Sequence, residues 1–191
     1  AARLIQERGG RLVAITDVGG GVANPHGLDA AALKAHLART GSIADAPNTT
    51  PIDNATLLAM DVDLLVLAAL EGQVTAENAG AVRARVVAEG ANGPVTPDAD
   101  PILTERGITT VPDILCNAGG VVVSYFEWVQ NLQSFTWPRE QVVERLEGVL
   151  GRAYDEVARV RHAEGIDARL AAHAIAVARV AEAQRIRGRY P

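Results

Sequence analysis

The sequence predicts an α/β fold, a doubly wound parallel sheet followed by helices, and three observations carry that prediction. Short apolar runs that end in small or polar residues recur between Arg11 and Val111 and alternate with helical segments, the βαβ rhythm of a sheet covered on both faces. Aromatic residues make up only 4% of a chain that is 48% hydrophobic, so its core must be built from Val, Leu, Ile and Ala, which suits helices packed closely on a sheet. From Asn117 onward no strand pattern is evident, and helical periodicity takes over.

Arg3 to Arg8 reads as the last turns of a helix, stopped by Gly9 and Gly10. Arg11 to Thr16 follows as a strand whose apolar Leu12, Val13 and Ile15 are expected to be buried in a parallel sheet. It ends at Asp17 and the flexible Gly19-Gly20-Gly21. A helix is predicted over Asp29 to Arg39. The stretch from Thr40 to Pro51, rich in Gly, Asn, Thr and Pro, reads as an irregular surface connection. Asp53 can cap a short helix ahead of the second strand, Asp63 to Ala68. A helix over Thr75 to Val82 leads to the third strand, Arg85 to Glu89. Thr96 as N-cap and Pro97 at the first helical position open a helix to Arg106, and Ile108 to Val111 is the fourth strand.

Three helices are predicted thereafter: Ala118 to Leu132, Pro138 to Glu164 and Asp167 to Arg187. In the middle one Val142, Leu146, Val149, Ala153, Val157 and Val160 recur at steps of three and four, one apolar stripe suited to packing on the sheet or on a neighbouring domain. Arg185, Arg187 and Arg189 would complement the dipole at the C-terminus of the last helix. The expected division is a partial dinucleotide-binding domain over 1–135 and a helical segment packed on it over 136–191.

The net charge of −5 provides no basic field for phosphate backbones, so no nucleic-acid partner is expected. Cys116 is the only cysteine, which excludes an intrachain disulfide and suits a reducing compartment. His26, His36, His162 and His173 are scattered without metal-ligand spacing, so no metal site is expected. The longest strictly apolar run, Leu64 to Leu70, falls far short of the about 20 residues that span a bilayer. With no signal peptide ahead of Ala1, the expectation is a soluble, cytoplasmic protein without a membrane partner.

In a dinucleotide fold an acidic residue at the tip of the second strand lies about 20 residues after the Gly-rich turn and accepts the ribose hydroxyls. Asp17 sits where that acid belongs. Counting back from it runs off the start of the chain, so a Rossmann-like sheet whose central first strand and phosphate-binding glycines precede Ala1 is expected, and with it a longer polypeptide. Gly19 to Gly21 does not replace that turn, because Val22-Ala23-Asn24-Pro25 follows instead of a helix.

Ligands of open α/β sheets bind beyond the C-terminal ends of the strands, which selects three loops. Ala68-Ala69-Leu70-Glu71 could let a flat ring or a ribose lie against the backbone, or be a plain packing pair. Glu89-Gly90-Ala91-Asn92-Gly93-Pro94 brackets an asparagine able to donate and accept, or is a simple turn. Asn117-Ala118-Gly119-Gly120 begins a helix with two glycines, costly there unless something approaches closely, and a nicotinamide ring is one candidate. Ser124 lies one turn beyond Gly120 and can face the same cleft, with Phe126 and Trp128 pointing elsewhere.

The run RVVAEGANGPVTPDAD, followed by PDILCNAGGVVVSYFEWVQN and a further helix pair, resembles the glutamate dehydrogenase family, as do TDVGGGVANPHGLD and LAALEGQVT. The resemblance implies that Asp17 and Val18 lie near the adenosine ribose, that Ala68 and Ala69 border the nicotinamide ribose, and that Asn92 and Asn117 hold the nicotinamide side. Val121 and Ser124 fall on the substrate side, where Ser124 would hydrogen-bond the substrate's side-chain carboxylate. Leu67 departs from a proline common in the family. The family's catalytic lysine and aspartate belong to an N-terminal substrate domain, so no residue here is assigned as catalytic acid or base, and this portion alone is expected to be inactive.

The implied reaction is reversible oxidative deamination of L-glutamate to 2-oxoglutarate and ammonium in a homo-oligomer, a hexamer. Uncharged Val18 and Gly19 after Asp17 favour NAD, without excluding NADP. The rivals are a leucine, phenylalanine or valine dehydrogenase of the same family and a non-catalytic regulatory homologue assembled with an active subunit.

Overall fold

The computed structural model describes residues 1–188. Arg189, one of the three C-terminal arginines, and the end of the 136–191 segment lie outside the described residues.

Helix α1 (Ala2–Glu7) leads into strand β1 (Ala14–Asp17), which turns back through Val18 and Gly19 as β2 (Gly20–Ala23). Helix α2 (Ala30–Thr40) follows, its Ala31 and Ala32 amides accepted by the Asp29 carboxylate, and then β3 (Thr50–Ile52). These strands form an antiparallel sheet of order β1-β2-β3, with Ile15 opposite Val22 and Val22 opposite Pro51. Val22, Leu28, Leu33 and Ala46 make its core.

The expected parallel placement of Arg11 to Thr16 is therefore corrected: the segment pairs antiparallel with the glycine run that follows it. Two glycines make the hairpin possible. Gly20 has φ of 124°, and a Cβ on Gly21 would lie 2.3 Å from Thr16 Cγ2 and 2.8 Å from the Ile15 carbonyl oxygen. The end of the irregular 40–51 connection likewise becomes a strand, because Thr50 and Pro51 add to the edge of β2.

The second sheet is parallel and follows the predicted strands. Helix α3 (Asn54–Leu58), capped by Asp53 through the Thr56 amide, precedes β4 (Leu64–Leu67). Beyond it come β5 (Val86–Glu89), α4 (Asp100–Glu105) and β6 (Thr109–Val111), with sheet order β4-β5-β6. Leu58, Leu65, Leu67, Val82, Val87 and Leu103 belong to one buried cluster around this sheet. Leu103 and Val87 are fully buried, which fits strands covered by helices and filled with aliphatic side chains.

Two predicted helices shrink. Of Thr75 to Val82, only a single 3-10 turn over Ala79–Ala81 forms. The helix expected to open at Thr96 begins at Asp100, because Thr96 is otherwise engaged: its amide donates to the Val74 carbonyl at 2.9 Å and its hydroxyl to Asp98. Val74 and Val95 form a parallel bridge there, so the two loops run side by side as an extension of the sheet.

The helical end consists of α5 (Asp113–Cys116), α6 (Gly119–Gln133), α7 (Arg139–Glu164) and α8 (Ala168–Arg187). Val157 of α7 and Ala171 and Ala172 of α8 are buried together, with Leu115 of α5 against them. Of the α7 stripe, Leu146 approaches Gly119 at the start of α6 beside Leu150, and Val157 and Val160 meet α8. No described helix is long and apolar enough to cross a membrane.

Candidate functional site at the parallel strand ends

Because β4 and β5 are parallel, with Leu67 opposite Glu89, both chains leave the sheet at the same edge. The Ala91 amide continues the ladder to the Leu67 carbonyl at 2.8 Å. At that edge lies an open cleft of about 730 Å³, lined by Ala68 and Ala69 after β4, by Gly90, Ala91 and Asn92 after β5, and by Asn117, Gly120, Val121 and Ser124 from α5 and α6. Six residues singled out from sequence thus share one cavity: Ala68, Ala69, Asn92, Asn117, Val121 and Ser124. Asp17 and Val18 are not among its lining. They sit at the tip of the β1–β2 hairpin, where Asp17 Oδ1 accepts the Gly19 amide at 2.7 Å and Val18 is 97% exposed.

Each wall has a local reason. Gly90 lets the two strand ends close up, since a Cβ there would stand 3.1 Å from the Ala68 Cβ and 3.5 Å from the Leu67 carbonyl oxygen. A Cβ on Gly120 would meet nothing within 4 Å, so that glycine leaves the floor of the cleft open. The Asn117 side-chain amide donates to Asn92 Oδ1 at 2.6 Å and to the Ala91 carbonyl at 3.3 Å. The Asn92 NH2 and the Asn117 carbonyl have no other protein partner among the described residues, and so present one donor and one acceptor side by side. The Ser124 hydroxyl, part of the cleft lining, donates back to the Gly120 carbonyl at 3.0 Å. Phe126 is buried against Trp137, and Trp128 lies against Tyr125.

Beneath the cleft lies a cluster that sequence reasoning missed. Arg169, in the first turn of α8, places each guanidinium nitrogen near a different carboxylate: Nη2 on Glu89 Oε1 at 2.5 Å, Nε on Asp100 Oδ2 at 2.5 Å and Nη1 on Asp113 Oδ1 at 3.1 Å. Glu89 is 0% exposed. Its other oxygen accepts the Asp113 amide at 3.1 Å, and Asp113 Oδ2 accepts the Gly93 amide at 2.8 Å. Glu89 is the charged residue that closes an apolar strand, which could have flagged a partner. Arg169, 80 residues further on, carries no local signal of its own.

Burial pushes the Glu89 carboxyl above the usual range, and Arg169 only partly opposes it. At Asp113 burial also acts upward, but the Gly93 and Ile114 amides and the Arg169 charge outweigh it and hold the carboxyl below its ordinary value. For Arg169 burial disfavours the charge, yet the bonds to Glu89 and Asp100 hold its proton more tightly than usual. Burial also raises the Cys116 thiol, which disfavours the nucleophilic thiolate. Among the described residues no group of His, Cys, Asp or Glu is arranged to hold a metal ion.

A parallel sheet with helices and a cleft at the C-terminal strand ends make this an α/β protein, a class whose ligands characteristically bind at that edge. The chain belongs to the Glutamate/Leucine/Phenylalanine/Valine dehydrogenase family, whose sequence pattern matches residues 1–188. It is 50% identical over 192 residues to a glutamate dehydrogenase of Thermotoga maritima, covering 100% of this chain and 46% of that protein. It is likewise 50% identical over 193 residues to the NADP-specific glutamate dehydrogenase A1 of Halobacterium salinarum, covering 100% of this chain and again 46% of the relative. Among solved structures, a hetero-hexameric glutamate dehydrogenase from Thermus thermophilus in its leucine-bound form superposes with a TM-score of 0.92 at 37% identity, over 100% of this chain and 45% of that one. The glutamate dehydrogenase of Peptoniphilus asaccharolyticus gives 0.81 at 34% identity, over 98% and 44%. The chain thus spans somewhat less than half the length of these relatives.

Proposed function

We propose that this chain is the coenzyme-binding half of a glutamate dehydrogenase, which converts L-glutamate, water and an oxidised nicotinamide dinucleotide to 2-oxoglutarate, ammonium, the reduced coenzyme and a proton. The observation that carries the reading is the cleft where Ala68, Ala69, Asn92, Asn117, Val121 and Ser124 converge. Its size is that of an ordinary small-molecule site. The free donor of Asn92 and the free acceptor of Asn117 complement a carboxamide, which has one of each, and the open floor at Gly120 leaves space for a flat ring.

When bound, the nicotinamide supplies the hydride acceptor. The chain's own residues orient and exclude. Asn92 and Asn117 hold the carboxamide, Ala68 and Ala69 border the ribose, and Val121 limits where substrate can sit. The Ser124 hydroxyl turns from the Gly120 carbonyl to the distal carboxylate of glutamate. Orientation of this kind removes much of the entropic barrier to transfer between two carbons. Asp17 is the proposed partner of the adenosine ribose, with Val18 beside it. Since no cation stands at Asp17-Val18-Gly19, the proposed coenzyme is NAD, although the Halobacterium relative is by name NADP-specific.

The proton chemistry is proposed to reside in the part of the relatives that this chain does not span, so the 191-residue chain alone is expected to give no turnover. In the same reading β1 and β4, each an edge strand here, flank the slot for the first strand of the dinucleotide fold, and 1–135 and 136–191 are its coenzyme and helical parts. The proposed assembly is a cytoplasmic hexamer. A second reading is favoured by the Thermus neighbour, a hetero-hexamer: this chain would be a subunit that assembles with a catalytic one.

Ser124→Ala in the full-length protein tests the site. Loss of a hydrogen bond to a charged group predicts that kcat/KM for glutamate falls on the order of tenfold to a hundredfold, with little change for norvaline, which lacks the second carboxylate. Equal losses on both amino acids would remove Ser124 from the substrate site. Turnover by the isolated chain would overturn the division of labour. The same assay with NAD and NADP settles the coenzyme.

A further inference from the structure

We infer that Arg169 is a positioning residue for the coenzyme cleft: it fixes the two loops that carry Asn92 and Asn117 from a helix that takes no part in the cleft. The inference rests on the coenzyme reading of that cleft. Its physical basis is the separate use of each nitrogen. Nη2 engages the end of β5 through Glu89, Nε the start of α4 through Asp100, and Nη1 the start of α5 through Asp113. The second oxygens of two of those carboxylates carry the constraint onward. Glu89 orients the Asp113 amide, and Asp113 holds the Gly93 amide, one residue from Asn92. Asn92 in turn receives the Asn117 side chain. Asp113 therefore links the guanidinium to the Asn92 loop directly, and Glu89 braces Asp113 from the other side.

The root of the side chain is fixed as well. Ala171 and Ala172, on the turn that follows, are buried with Leu115 of α5 and Val157 of α7. A single guanidinium shared by three largely buried carboxylates contributes little net stability, because desolvation offsets the attraction. What it provides is fixed geometry, through a planar fork that an ammonium cannot reproduce. Among the described pairs linking α7 and α8, Arg179–Glu156 is a surface contact far along the helix and serves as a matched control.

The test uses Arg169→Lys, Arg169→Met and Arg179→Met in the full-length protein, with two readouts. One is hydrogen–deuterium exchange of peptides covering 89–96 and 112–118. The other is coenzyme binding, together with the separate KM values for coenzyme and amino acid. Faster exchange confined to those two segments is expected, in the order wild type, Arg169→Lys, Arg169→Met. Coenzyme KM should rise on the order of tenfold or more while the amino-acid KM moves less, as small misplacements of a binding loop can cost up to about a hundredfold. Arg179→Met should leave both readouts at the wild-type level.

Unchanged exchange in 89–96 and 112–118, or an increase spread equally over β1–β3, would overturn the inference in favour of a merely structural role. If Arg169→Met does not fold, Arg169→Lys decides by the same criterion. Should wild type bind no nicotinamide coenzyme, the cleft reading falls, while the exchange pattern still decides whether Arg169 holds the loops.

Discussion

Replacing Gly90 by alanine tests whether the close approach of β4 and β5 shapes the cleft. The new Cβ would stand 3.1 Å from the Ala68 Cβ and 3.5 Å from both the Ala68 Cα and the Leu67 carbonyl oxygen. Carbon atoms rest about 3.5–4.0 Å apart, so the strand ends must separate by several tenths of an ångström. The neighbour is a methyl on backbone, with no rotamer to swing away. Overpacking of this kind costs about 1–3 kcal/mol, while the stiffer unfolded chain of alanine returns about 0.4–1 kcal/mol, for a net loss of about 1.3 kcal/mol between the middles of the two ranges. At about 2–4 °C per kcal/mol for a chain of this size, the melting midpoint should drop by about 3–5 °C. Coenzyme binding should weaken in parallel, because Ala68 and Gly90 are two walls of one cavity.

Gly80 is the built-in comparison. It lies in the Ala79–Ala81 turn with nothing within 4 Å of a Cβ and no positive φ, so Gly80→Ala should gain about 0.4–1 kcal/mol. The two alanine variants should therefore shift the midpoint in opposite directions in a calorimetric scan of the intact protein. A Gly90→Ala protein as stable as wild type, or both variants shifting alike, would refute the packing argument.

Glu89→Gln tests the buried carboxyl. Its value is raised by folding, so the folded chain holds that proton more tightly than the unfolded chain does. The contribution of Glu89 to stability is then greatest below the unfolded carboxylate value, about 4.3, and declines as pH rises through the raised folded value. Glutamine lacks this titration, so the stability of wild type relative to Glu89→Gln should decrease with rising pH across that window in denaturant melts. A constant or growing difference would contradict the burial argument. Thr110→Val addresses a buried hydroxyl with no partner among the described residues, and should stabilise by about 0.5–2 kcal/mol. A clear destabilisation would mean that the hydroxyl is satisfied.

The legibility of the fold followed the range of the forces. The strands β4 and β5 read correctly because each is an apolar run with a polar or small terminus, and β6 because Ile108 and the β-branched Thr109-Thr110-Val111 stand between Gly107 and Pro112, patterns one segment carries by itself. The cap of Asp53 is equally local, since its carboxylate reaches an amide three residues on. Where a partner distant in the chain competes, local reading failed. Thr96-Pro97 has the form of a helix start, yet the Thr96 amide is taken by Val74. Gly19 to Gly21 has the form of a flexible loop, yet Gly21 is the partner of both Thr16 and Ile52.

By itself the sequence determined the α/β class, three of the four expected parallel strands and the three loops at their ends, because periodicity, turn residues and the order of elements are properties of the chain read from one end to the other. It also determined that Ala68, Asn92, Asn117 and Ser124 could meet, since parallel strands deliver their C-terminal loops to one edge. Only the tertiary structure decided that Asp17 tips an antiparallel hairpin, and that Arg169 gathers Glu89, Asp100 and Asp113 beneath the cleft. The reason is physical. A charge buried in low dielectric must find its counterions wherever packing brings them, and separation along the chain does not constrain that choice.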